Sequence, residues 1–438
     1  MRNSVRTLFF FTTYLLCTGY ESLGKVPSTD LFHRAQKNLT RTIVHDIFSP
    51  PVASRVYMYA NIAAYEILVL NNNQYKSLYG QVPGVPDVAR IPTSGQINYP
   101  LAALYALFQT GGKMVFSEPL LQDSAAVILR EMHETDPTVY QNSIRFGQIV
   151  SDSIVNWAAG DHYRETRNTR RYAYSKAPGK WVPTPPGYFD AVEPYWSRIR
   201  PLTLDSAQQF KPLPPPAFSI SKDSEFMKQA YEVYNRTRQM TAEQRLIASY
   251  WDCNPFYLNT QGHLNFATKK LSPGGHWMSI AGQAAATANL DWPATAGAYL
   301  LTSIALFDGF ISCWDEKYRS QLIRPETVIN TYIDEKWRPL LQTPPFPEYT
   351  SGHSVISTAS ATVLADYFGK DFTFIDNTEV EYGLPERRFL SFRQACDEAA
   401  ISRLYGGIHY RAAIDEGQIQ GEKVGKLVLS KVQLHRRN

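Results

Sequence analysis

Apolar residues return every three or four positions along much of this chain, the spacing that lines one face of an α-helix. Residues 50–70, 97–116, 119–134, 139–160 and 224–237 keep that spacing over helical lengths. It resumes from Thr241, through 295–323, after His353 and around His409. Strand-like alternation is scarce, so the pattern predicts an all-α protein. Residues 178–216 break it, with ten prolines and interleaved aromatics in 39 residues, as in PGKWVPTPPGYFDAVEPYW. Proline removes backbone donors and excludes regular helix there. The segment reads as a linker or a long ordered wrap, and its aromatics favour a packed wrap. It closes an N-terminal helical half, 23–216, and leaves a C-terminal helical half, 217–438. Helices on both sides of it predict two four-helix-type bundles packed as one unit.

The first 22 residues differ from the rest. Arg2 and Arg6 precede an apolar stretch from Leu8 to Cys17 and then small polar residues, the order of a secretory signal peptide. The stretch is too short to span a bilayer. Leu16 directly before Cys17 is a poor fit to lipid attachment at that cysteine, so cleavage shortly after it is expected, with export to the periplasm or the medium. No other apolar run reads as a membrane span. Beyond Cys17 only Cys253, Cys313 and Cys396 remain, which excludes a disulfide scaffold. With 438 residues, 44% of them hydrophobic and 19% charged, the chain has enough apolar material for a sizeable core. A net charge of +4 without a Lys/Arg cluster argues against a nucleic-acid partner.

Three short stretches carry candidate chemistry. In PFPEYTSGHS (345–354), Ser351 and Gly352 open a helix whose first N–H groups form an anion site, and His353 sits on it. In CWDEKYRSQLIRPE, Lys317 and Arg324 are seven residues apart, on one face of a helix shared with Trp314 and ended by Pro325. In SRLYGGIHYRAAIDEG, Gly406 and Gly407 separate Arg403, closing one element, from His409, opening the next. Each stretch alone has an ordinary explanation, such as a solvated His or an exposed stripe of cations. Together they supply three cations, one helix mouth and two histidines.

In order, K-x6-R-P (317–325), P-x-x-T-S-G-H (347–353) and S-R-x5-H (402–409) resemble the three-part motif of the vanadium-dependent haloperoxidases and the type 2 phosphatidic-acid-phosphatase superfamily. The likeness is strongest from Asp308 to Asp415. CWDEKY and PFPEYTSGHS are closest to the bacterial iodoperoxidase group, and residues 43–66 look like the helical first half of bacterial haloperoxidases. The resemblance implies vanadate held in the core of the C-terminal bundle by Lys317, Arg324, Ser351, Gly352, His353, Arg403 and His409. His409 matches the metal ligand, His353 the acid–base residue and Lys317 a further catalytic group. Trp314 and Phe346 match positions lining the pocket. The implied partners are hydrogen peroxide and halide ions, with a small organic acceptor left open. The implied reaction is oxidation of halide to hypohalous acid.

The residues suit an oxyanion, whose charge must be balanced from several directions by Lys and forked Arg donors. They equally suit an exported acid phosphatase with His409 as nucleophile and His353 as general acid, or an oxyanion-binding protein without turnover. The large helical first half favours the peroxidase. Phe346 stands where the bromoperoxidases of the family carry His, but the chloroperoxidases also carry an aromatic there, so it is the likeness of CWDEKY and PFPEYTSGHS to the iodoperoxidases that makes iodide the expected halide. A carboxylate should orient Arg403 or His409, with Asp308 and Asp415 as candidates. Tyr257 and His276 are candidates for the cleft wall or for buried structural roles.

Overall fold

The computed structural model describes residues 28–435 except 133–134, 262–263 and 268–269. The expected signal peptide lies outside the described residues. The first half contains α1 (Asp30–His45), α2 (Pro50–Leu68), α3 (Tyr99–Gly112), α4 (Glu118–Arg130), α5 (Pro137–Ala158) and the short α6 (Tyr163–Arg167). After the proline-rich segment come α7 (Glu225–Arg238), α8 (Ala242–Tyr250), α9 (Pro273–Thr287), α10 (Trp292–Ser320), α11 (Pro325–Tyr332), α12 (Gly352–Phe368), α13 (Phe392–Tyr405) and α14 (Arg411–Lys431). Two antiparallel hairpins, β1 (Leu258–Gln261) with β2 (Leu264–Ala267) and β3 (Phe374–Asp376) with β4 (Arg387–Phe389), and three short 3-10 turns complete the described elements. The all-α expectation holds.

Local signals set the helix starts. Ser49, Ser351 and Asp291 each accept a first-turn N–H with the side chain, and proline occupies the first turn of α2 and α10. Every residue of α2 is buried, because α3, α5, α9 and α10 surround it. α10 packs on α2 from one side and on α12 and α14 from the other, so one long helix joins the two halves. Its 29 residues are long and apolar enough to cross a membrane, contrary to the expectation that no such run exists beyond residue 22. Its apolar window is wholly buried among these helices, which accounts for the composition.

The proline-rich segment is a packed wrap. Its only regular turn is a 3-10 turn at Trp196–Arg198, and its polar groups are held by the helices beneath. The Leu202 and Thr203 amides donate to the Asp308 carboxylate at 2.8 and 2.7 Å, and the Trp181 amide donates to the Gln321 carbonyl at 2.7 Å. Trp314 Nε1 donates to the Val192 carbonyl at 3.2 Å, which ties the wrap to the last turns of α10. On the other side, α14 lies close against α12. A Cβ added at Gly421 would meet the Val355 carbonyl at 2.1 Å, so only glycine allows this approach. The same contact carries the Ser351 amide to the Ala413 carbonyl at 2.9 Å, fixing the mouth of α12.

Candidate functional site

Five chain segments converge at that mouth. Trp314 and Lys317 lie near the end of α10, where Gln321 takes a left-handed conformation (φ 54°) and reverses the chain. Arg324 therefore does not share the Lys317 helix. It is the N-cap of α11, and Pro325 opens that helix instead of ending the previous one, as proline's fixed φ allows at a first position. Ser351 caps α12, accepting from the Ser354 amide at 3.3 Å and the Ser354 hydroxyl at 2.9 Å, with Gly352 and His353 in the first turn. Arg403 is in the last turns of α13, and His409 lies in the link to α14. Gly407 makes that link possible: its φ is +78°, and a Cβ there would press on the Pro339 backbone at 3.2 Å.

Trp314, Phe346, Gly352, His353, Arg403 and His409 line one cavity, together with a wall formed by residues 253–256 that sequence reasoning did not single out. Lys317, Arg324 and Ser351 stand directly behind it, all fully buried. Phe346 bridges the cations, its ring 5.0 Å from the Lys317 ammonium and 5.1 Å from the Arg324 guanidinium. The Lys317 ammonium donates to the carbonyls of Pro347, Glu348 and Thr350 at 3.0, 3.1 and 2.5 Å. Its three protons hold the loop before α12, and its charge reaches the cavity through space.

Other donors are left over. Arg324 Nε donates to the Phe346 carbonyl at 2.9 Å and Nη1 to the Ile408 carbonyl at 2.8 Å, but Nη2 has no partner. Arg403 Nη1 donates to the Trp251 carbonyl at 2.7 Å, while Nε has none. His353 Nε2 is likewise buried and unpaired, and in a neutral ring protonated at Nδ1 it is an acceptor. Buried polar groups are seldom left so, and several around one cavity indicate a missing polar occupant.

The carboxylate of the site is Glu348, which was not among the expected ones. Its Oε1 accepts from the Tyr410 amide at 2.9 Å and lies 2.8 Å from His409 Nδ1. That oxygen is an acceptor, so the His409 proton sits on Nδ1 and the lone pair on Nε2, which lies 3.2 Å from Arg324 Nη1. Asp308 instead anchors the proline-rich wrap through backbone amides, and Asp415 lies exposed on α14 near Arg411 and Glu232. The available signal was the Glu inside PFPEYTSGH: three buried cations need a carboxylate close by. Tyr257 and His276 are outside the cavity lining; Tyr257 packs under the Lys270 ammonium and His276 stacks on Trp251.

Burial governs the electrostatics. It brings Lys317 down to about 8 and Arg324 to about 10, lowers Arg403, and raises Glu348 to about 7. It also drives both His353 and His409 well below the usual histidine value, and neighbouring cations push them the same way. Both imidazoles are thus neutral at neutral pH. An anion in the cavity would offset the cation excess and engage the free N–H groups.

The comparisons with known proteins agree with this geometry. The family model "VCPO second helical-bundle domain" matches residues 298–438, the part holding all the cations and both histidines. Among solved structures, the first bacterial vanadium-dependent iodoperoxidase is 47% identical with a TM-score of 0.89, covering 94% of this chain and 98% of that one. A holo-type bacterial vanadium-dependent chloroperoxidase is 17% identical with a TM-score of 0.67, covering 92% and 97%, and shares the fold. No curated protein matches the chain.

Proposed function

The chain belongs to the vanadium-dependent haloperoxidase family, and from that membership we propose an exported iodide peroxidase whose cofactor is held by the residues described above. As a family member it is a vanadium-dependent haloperoxidase, with vanadate as cofactor and hydrogen peroxide and halide as reactants. The net reaction takes hydrogen peroxide, iodide and one proton to hypoiodous acid and water.

The residues fit vanadate on one decisive observation: Arg324 Nη2, Arg403 Nε and His353 Nε2 are buried around one cavity with no partner. The two guanidinium N–H groups would hold vanadate oxygens, with the Gly352 and His353 amides at the helix mouth and the Ser351 hydroxyl completing the cradle. His409 offers the Nε2 lone pair as ligand, and Glu348 keeps its proton on Nδ1. When bound, vanadate supplies Lewis-acid polarisation of hydrogen peroxide without a change of metal oxidation state. Neutral His353 accepts the proton that the incoming peroxide releases, at Nε2. Lys317 adds positive charge and holds the 347–350 loop in place.

Trp314 and Phe346 form an aromatic wall, their ring centroids 5.0 Å apart. Phe346 offers no hydrogen-bond donor on that wall, and the likeness to an iodoperoxidase over 94% of the chain supports iodide, the most easily oxidised of the common halides. The Arg2/Arg6 and apolar pattern of residues 1–22 supports export to the periplasm or the medium. Steady-state assays of vanadate-loaded protein with iodide, bromide and chloride at matched peroxide test the reading. Iodide turnover should exceed bromide severalfold, with no chloride turnover; bromide turnover equal to iodide refutes the halide preference. Full activity after vanadate is stripped refutes the cofactor role.

A further inference from the structure

Behind the 253–256 wall of the cavity lies a second cluster that the peroxidase reading does not use. Cys253, His276, Asp376 and Glu379 are all buried, and they come from the loop after α8, the start of α9 and the turn around β3. His276 Nδ1 is 3.4 Å from Cys253 Sγ and 3.3 Å from Glu379 Oε1, and Sγ is 3.9 Å from the same carboxylate oxygen. On the far side of the ring, Nε2 is 2.6 Å from Asp376 Oδ2. Asp376 is itself held by the Thr378 amide at 3.0 Å and the Thr378 hydroxyl at 2.6 Å.

We propose that Cys253 Sγ, His276 Nδ1 and Glu379 are three protein ligands of a tetrahedral divalent-metal site of the zinc class, adjoining the vanadate cavity at Cys253 and distinct from its oxyanion-binding residues. Zinc bonds of about 2.3 Å to sulfur and about 2.0–2.2 Å to nitrogen and oxygen place neighbouring donors of a tetrahedron roughly 3.3–3.6 Å apart. Two edges of this triangle have that length, and the third is slightly longer. A thiolate, an imidazole and a carboxylate are all zinc ligands, and the sulfur and nitrogen donors disfavour Mg2+ and Ca2+. Asp376 on the remaining ring nitrogen matches the carboxylate that orients metal-binding imidazoles. Trp251 stacks on the His276 ring with centroids 4.5 Å apart, which fixes its plane. Metal binding releases the Cys253 thiol proton and the Nδ1 proton of His276 to solvent, keeps the Nε2 proton hydrogen-bonded to Asp376, and leaves the fourth position to water. The ion ties the cavity wall at Cys253 to α9 and to the β3–β4 hairpin, so its effect is structural.

The test is elemental analysis of the full-length protein purified without chelator, with zinc and vanadium counted separately. About one zinc per chain is expected through gel filtration, whether or not vanadate is loaded. Glu379→Ala and Cys253→Ser should lower zinc retention at least tenfold. If either variant fails to fold, wild-type protein stripped by chelator and titrated with Co2+ gives the answer. A tetrahedral visible spectrum with a thiolate charge-transfer band supports the site. Wild-type protein that takes up neither Zn2+ nor Co2+ stoichiometrically, or binds Co2+ without that band, overturns it, and the cluster is then a charged His276 held between two carboxylates.

Discussion

Both halves of this molecule bury charge, and they treat it oppositely. In the first half, Arg55 Nε donates to Asp161 Oδ2 at 2.7 Å, and Tyr59 donates to the same oxygen at 3.0 Å. Glu66, pushed up to about 7 by burial, accepts from the Ser77 hydroxyl and from the Leu78 amide at 2.7 Å. These groups answer one another. In the second half, Lys317 and Arg324 face the buried Glu348 carboxylate, Arg403 has Asp252 as its counter-charge, and N–H groups of both arginines remain unanswered. The desolvation cost is similar in kind, but only the first arrangement is complete without a ligand. A buried charge marks function when its partners are missing, which burial alone does not reveal.

The comparison breaks most sharply at His409. His409→Ala should abolish vanadium retention and cut iodide oxidation by roughly 10³-fold or more, with the helical circular dichroism unchanged. A variant that still holds vanadate would remove His409 as ligand. Arg55→Ala should do the reverse, leaving Asp161 buried and uncompensated at a cost of about 3–5 kcal/mol. Its thermal midpoint should fall while the vanadate affinity of the folded fraction stays within twofold; a tenfold loss of affinity would show that the two charge clusters are coupled. Glu348→Ala sharpens the contrast, since it frees the His409 Nδ1 proton and the Tyr410 amide. It should weaken vanadate binding about 10–100-fold, read by titration, and an unchanged affinity would demote Glu348.

The smallest effect is on pH. Burial lowers Lys317 to about 8, so it is cationic below that pH and neutral above it. An anion favours the cationic form. Affinity for phosphate as competitor should therefore hold below about pH 8 and decline above it, by at most about tenfold per pH unit. Calorimetric titration between pH 7 and 10 checks this, and affinity that rises over that range would contradict the charge role of Lys317.

Sequence by itself determined what depends on neighbours along the chain. The three-to-four-residue spacing placed α2, α3, α4, α5, α7 and α10 to within a few residues and left α1 unread, the Ser351 cap placed His353 in a first turn, and Gly406 and Gly407 separated Arg403 from His409. The motif residues were legible because their spacing is local. Tertiary structure decided which groups meet across long separations. Lys317 and Arg324 share a site without sharing a helix, because the left-handed turn at Gln321 sends the chain back. Glu348, with no helical periodicity to mark it, reaches His409 61 residues away, while Asp308 is drawn off by the amides of the proline-rich wrap. Cys253, His276 and Glu379 meet from segments whose spacing matches no motif. Local propensity is written residue by residue, whereas the partner of a buried charge is fixed only when packing excludes water and leaves one group within reach.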